Sequence, residues 1–185
     1  MSTGVLIGFL PWILFYILPL HTAQQLKVGI TGLLLLTLVT SYKDLKRKFI
    51  LPWVTLAFFV FSFVGVVMFD LEFLMSNMAI LVNSALVCVA LGSLAIGKPF
   101  TLQYARAEVA KEKWQHPVFI FINQVLTFVW GMSFLFNLSV NVIHKIHPYS
   151  NLIVSMLVNG STLGALFFTI WFPKWYRNKI THKYK

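Results

Sequence analysis

Asn123, Thr127, Trp130, Phe134, Asn137 and Asn141 recur at spacings of three and four within one apolar run. On a helix they form a single stripe, which should face the protein interior rather than lipid. Amides and hydroxyls in that setting can do two things. They can bond one helix to the next, at about 0.6 kcal/mol each. Or they can line a polar cavity for a neutral or zwitterionic molecule or a lipid headgroup. The candidate cavity residues are Asn123, Gln124, Thr127 and Asn137, with Asn159 from the following run.

A second group lies in GKPFTLQYARAEVAKEKWQHPVF, residues 97–119, where the apolar chain is interrupted by Lys98, Arg106, Glu108, Lys111, Glu112 and Lys113. Lys98, Gln103, Tyr104 and Arg106 are candidates for docking a partner or contacting a headgroup. A third pair, His144 and His147, has the i, i+3 spacing that could present two ligands to one metal. No carboxylate or cysteine stands near them, so surface histidines are the better reading. There is no Gly-rich phosphate loop, serine elbow or HExxH. Nothing nominates a catalytic residue, and no cofactor is expected.

These groups need elements to hold them. The chain has 185 residues, enough for one domain, and is 58% hydrophobic and 11% charged. Its mean hydropathy of +0.80 and its runs near twenty apolar residues place it in the membrane class. Backbone groups in lipid must be satisfied within a segment, so such runs are helices. The reading is an all-α, polytopic integral membrane protein. It is a bundle of six transmembrane helices spanning about 3–20, 22–42, 51–69, 73–96, 117–143 and 149–172. The second is the weakest, because Gln24, Gln25 and Lys27 precede its apolar part and Lys27 must snorkel. Residues 97–116 form a cytoplasmic loop and 173–185 a basic tail. MSTGVLIGFLPWILFYILPL lacks a basic n-region and a small-x-small site, so no cleaved signal peptide is expected.

Basic residues set the orientation. Thirteen flank one side: Lys43, Lys46, Arg47 and Lys48, then Lys98, Arg106, Lys111 and Lys113, then Lys174, Arg177, Lys179, Lys183 and Lys185. Lys27 and Lys145 alone flank the other. Both termini are therefore expected in the cytoplasm. Trp53, Trp114, Trp171 and Trp175 fall at the same ends, where indole favours the headgroup layer. The net charge of +10 is explained by these flanks, so nucleic acid is not an expected partner. Asp70 and Glu72 occupy the opposite turn, with Glu72 opening a helix where a negative charge suits the dipole.

Prolines mark edges. Pro52, Pro117 and Pro148 stand near helix starts and Pro173 just past the last helix, while Pro11 sits inside the first and should kink it. No Asp, Glu, Lys, Arg or His lies mid-span, which argues against a proton-coupled carrier. Gly4/Gly8 and Gly160/Gly164 are GxxxG pairs, suited to packing within the bundle or to a homodimer seam. Cys88 is the only cysteine, so no disulfide forms within the chain. The sequons at Asn137 and Asn159 lie in or near spans and are discounted.

In the loop, Gly97-Lys98-Pro99 ends one helix and Thr101 can cap another. Leu102, Ala105, Val109 and Lys113 then mark a short, weakly amphipathic helix over 102–114, lying on the membrane surface between helices four and five. The run Gly97-Lys98-Pro99-Phe100-Thr101-Leu102-Gln103-Tyr104-Ala105-Arg106, with Glu108, Trp114 and Pro117 after it, resembles the intracellular septation protein A group. The resemblance covers about twenty residues. It implies a bacterial inner-membrane protein of the cell envelope, marks Lys98, Pro99, Thr101, Gln103, Tyr104 and Arg106, and carries over no catalytic residue.

Function then divides. A non-enzymatic envelope protein would bind lipid or a membrane-protein partner through the loop and tail. The alternative is a transporter or flippase for a neutral or lipid-like molecule, using the amide-lined interior. A membrane enzyme is the weakest of the three readings.

Overall fold

The structure, a computed structural model, describes residues 3–18, 20 and 22–183, with side-chain surroundings for residues 7–18, 20 and 22–180. The side chain of Lys183, and Lys185, lie outside that range. Every regular element among the described residues is helical: α1 (Thr3–Ile17), α2 (Ala23–Thr40), α3 (Tyr42–Lys46), α4 (Ile50–Ser62), α5 (Glu72–Ala95), α6 (Phe100–Glu108), α7 (Pro117–Ile146) and α8 (Asn151–Lys183). A π-helix, Phe63–Met68, continues α4, and a 3-10 turn, Lys111–Lys113, follows α6. Five stretches are long and apolar enough to cross a membrane. They are α2, α4 with its π-helix, α5, α7 and α8. The chain is a helical membrane protein. Helix α1 has 15 residues, about 22 Å at 1.5 Å per residue, short of a hydrocarbon layer of about 30 Å.

The chain forms two compact units, Thr3–Ala85 and Leu86–Lys185, and the boundary falls inside α5. In the first, α1, α2 and α4 enclose Trp12, Ile30, Leu51 and Phe59. The Trp12 ring lies 5.0 Å from Phe58 and 5.4 Å from Phe59. Helix α2 starts ahead of its apolar stretch because Thr22 and Gln25 form a capping box that satisfies two end donors. Lys27 forms an ion pair with Asp70, so the only cation of α2 has a partner. Within the π-helix, Gly65 lets Leu74 lie against the backbone, at a place where a Cβ would collide with it.

In the second unit α7 and α8 form an antiparallel hairpin. Ile122, Leu126 and Phe172 make its apolar centre, with Phe168 and Tyr176 against it. Gly131 lets Leu91 of α5 reach the α7 backbone. Two expectations need correction here. Helix α8 does not stop before Pro173 but runs through it to Lys183. Proline removes only one N–H donor, and Thr169, four residues earlier, is tied into the helix by donating to the Ala165 carbonyl at 2.8 Å. The loop helix covers 100–108 rather than 102–114, and its N-cap is Pro99, not Thr101. The Thr101 hydroxyl has a different use.

Candidate functional site

The loop helix is built inward. Phe100, Thr101, Leu102 and Tyr104 are all buried, Phe100 and Tyr104 almost completely. Gly97 adopts a φ of +69°, a left-handed conformation open to glycine, which turns the chain out of α5. The Ser93 hydroxyl of α5 accepts the Phe100 N–H at 3.1 Å and donates to the Ala90 carbonyl at 3.0 Å. Thr101 Oγ1 donates to the Asn123 carbonyl of α7 at 2.9 Å. It also lies 2.8 Å from Thr127 Oγ1. A threonine hydroxyl has one proton, so with Thr101's spent on Asn123 the Thr127 hydroxyl is the donor. One face of α6 is thereby clamped to α7, as a packed segment rather than a floating spacer.

Of the docking candidates, Tyr104 is buried on this inward face and so is not a surface contact, because its ring packs inside the protein, and Lys98 precedes α6. Lys98 is exposed, Gln103 and Arg106 are half-buried. After α6 the chain turns at Val109, whose carbonyl accepts the Trp114 indole N–H at 3.1 Å. That bond returns Trp114 toward the helix, and the Arg106 guanidinium sits over its ring, 5.7 Å from the centroid. Arg106 Nε is buried and has no acceptor, and Arg106 makes no ion pair among the described residues.

The other basic segments repeat the pairing. Lys46 lies 4.5 Å over Tyr42 and Lys179 lies 5.0 Å over Trp175. Such contacts contribute about 0.5–1 kcal/mol at exposed sites and hold the cation near an interfacial ring. Along α8 the Trp171 and Trp175 rings stack at 5.3 Å, and Tyr176 packs on Phe121 at 5.1 Å and Phe172 at 5.5 Å.

The amide stripe faces inward: Asn123, Thr127, Trp130, Phe134 and Asn137 are buried. Most of its groups are spent on neighbours. Trp130 Nε1 donates to Thr169 Oγ1 at 3.0 Å, Ser133 and Ser161 hydroxyls meet at 2.7 Å, and Asn137 Nδ2 donates to Thr162 Oγ1 at 3.2 Å. Asn123 Nδ2 returns to its own helix at the Phe119 carbonyl, 2.8 Å away. Asn137 Oδ1 is buried without a donor. Two candidates stand apart from this seam: Gln124 is exposed on the flank of α7, and Asn159 is exposed on α8, donating to Ser155 at 3.0 Å.

His144 Nδ1 accepts the Tyr149 N–H at 3.1 Å, closing the turn after α7. Among the described residues no three His, Cys, Asp or Glu side chains gather as a metal site. A Cβ on Gly160 or Gly164 would meet no atom within 4 Å among the described residues, so no close helix approach is seen there.

The first unit holds polar contacts that sequence reasoning missed. Trp12 Nε1 donates to Thr55 Oγ1 at 2.8 Å. Asn83 Nδ2 donates to the Tyr16 hydroxyl at 2.6 Å and to the Ala79 carbonyl at 2.8 Å. The signal available was polar residues such as Thr55 and Asn83 within apolar runs, which name a contact but not its partner. An apolar cleft of about 520 Å³ lies between α1 and α2, lined by Leu14, Leu18, Val28, Gly29, Gly32 and Leu36 among others, with Gln24 and Gln25 also in its lining. Comparison of the chain with protein-family models, with curated proteins and with solved structures returns no match in any of the three.

Proposed function

We propose that the chain is a non-enzymatic protein of the bacterial inner membrane that holds anionic lipid at its basic ends, through the loop and the tail. The observation that carries this reading is the cation set over an aromatic ring in each of the three basic segments: Lys46 on Tyr42, Arg106 on Trp114 and Lys179 on Trp175. Aromatic rings favour headgroup depth and cations near the surface are drawn to anionic lipid, so each pair combines both preferences. Six spans with both termini in the cytoplasm fit it, with the short α1 as the first. The resemblance to the septation protein A group gives the envelope setting.

The carrier alternative has weaker support. The polar groups between α7 and α8 mostly bond across the seam, Ser133 to Ser161 and Asn137 Nδ2 to Thr162, as helix-joining groups do. The test is purification in lipid nanodiscs of mixed zwitterionic and anionic phospholipid, followed by native mass spectrometry. Enrichment of anionic lipid on the protein over the surrounding bilayer is expected. Retention in bulk proportion, or a stoichiometric neutral metabolite lost on Asn137→Leu, would overturn the reading.

A further inference from the structure

We infer that Arg106 is the anchor of a discrete binding site for the phosphate of an anionic phospholipid headgroup, resting on the reading of the chain as a lipid-binding membrane protein. Three observations converge. The first is positional fixity. Arg106 stands in the last turn of α6, whose opposite face is immobilised by Phe100, Tyr104 and the Thr101 hydrogen bonds. The surface beneath it is fixed as well, because the Trp114 indole N–H is held by the Val109 carbonyl. The guanidinium is therefore set against a fixed ring without a ligand present, which reduces the rotamer freedom to be lost on binding.

The second is unmet hydrogen-bonding capacity. Arg106 Nε is buried and without an acceptor among the described residues, and a buried, unpaired donor on a charged group is costly. Arg106 forms no ion pair among the described residues. The favourable field at a helix C-terminus accounts for a cation in this turn, but it gives Nε no acceptor.

The third is chemical fit. A guanidinium held 5.7 Å from the Trp114 ring centroid still has paired N–H donors, the kind that match two oxygens of a phosphate. The site stands at the ends of α5 and α7, where membrane-spanning helices meet the headgroup layer, so the phosphodiester of a lipid is the source within reach. This holds whichever leaflet the loop faces.

The test uses the full chain in phosphatidylcholine nanodiscs containing phosphatidylglycerol, with bound lipids counted by native mass spectrometry as collision energy rises. Wild type is expected to keep one phosphatidylglycerol that Arg106→Gln and Trp114→Leu release roughly tenfold more readily. Lys111→Gln, on the exposed 3-10 turn, is expected to keep it. Thermal unfolding of each variant near the wild-type midpoint shows that the loop still folds. Equal retention by Arg106→Gln, equal loss in Lys111→Gln, or full displacement by excess inorganic phosphate would each overturn the site, the last assigning it to free phosphate. Enrichment without any dependence on Arg106 removes this site alone. Absence of all phosphatidylglycerol enrichment in wild type removes the broader reading with it.

Discussion

Trp130 donates its indole hydrogen to Thr169 across the α7/α8 seam, 3.0 Å away, and Thr169 passes its own hydrogen down its helix to the Ala165 carbonyl at 2.8 Å. Trp12 and Thr55 repeat the arrangement in the first unit, with Thr55 donating to Leu51. Asn137 and Thr162 repeat it again, with Thr162 donating to Val158. In each case a hydroxyl already bound to its own backbone uses a free lone pair to receive a neighbour. A polar link between helices is thus made without exposing an unpaired donor to hydrocarbon.

The two ends of such a link are not equivalent. Thr169→Val leaves the indole N–H of Trp130 buried and unpaired, and a loss of about 1–3 kcal/mol is expected. Thr169→Ser keeps the acceptor and should lie near wild type. Trp130→Phe removes the donor, so it loses the link, about 0.6 kcal/mol, together with part of a ring. Reversible unfolding in mixed micelles measures all three, and a Thr169→Val as stable as Thr169→Ser would show the bond to be absent.

Asn137→Leu runs against intuition for a buried amide. The change gives up one bond to Thr162, about 0.6 kcal/mol, and removes an Oδ1 that has no donor. Stability equal to or above wild type is expected in the same assay. A loss above about 2 kcal/mol would mean that Oδ1 has a partner, such as bound water.

Thr101→Val should release the loop from α7 while leaving the spans intact. Its hydroxyl joins the Asn123 carbonyl and Thr127 at once. Hydrogen–deuterium exchange over residues 100–108 is expected to rise roughly five- to tenfold, the effect of about 1–1.4 kcal/mol. Exchange over the middle of α7 should stay unchanged.

How much of this was legible in the residues follows from periodicity. The stripe on α7 could be read because polar groups in an apolar helix must face protein, and five of its six members are buried. Their partners on α8 could not, because periodicity fixes a face but not a register. Thr101 reads as a cap after Gly97 and Pro99. Its true use depends on α7 lying within reach, which no local rule contains. Arg106 and Trp114 are eight residues apart across a break at Val109, so no helical spacing links them. Pro173 reads as a stop under rules for helices in water. It fails as a stop here because the helix on either side is held by packing of Phe172 and Tyr176.

Acid should stabilise the α2–α4 connection. Burial raises the Asp44 carboxyl above its ordinary 3.8, and Arg47, 3.7 Å away, only partly offsets this. The folded chain then holds the proton more tightly than the unfolded one. The contribution is fully favourable below the ordinary value and is lost as pH rises through the raised one. Asp44→Asn is expected to flatten the stability profile over the range above the ordinary carboxyl value, read as the difference between the two proteins' unfolding midpoints. A profile that rises with pH over that window, relative to Asp44→Asn, would reverse the sign and refute the assignment.

Helix α8 has 33 residues, about 50 Å of continuous rod, against a hydrocarbon layer of about 30 Å. Its outer portion, from Lys174 onward, is therefore a lever rigidly joined to the segment that carries Thr162 and Thr169. A change of tilt within the bilayer must swing the tail outside it, and a spin label or fluorophore at Lys179 would report on the buried seam from water.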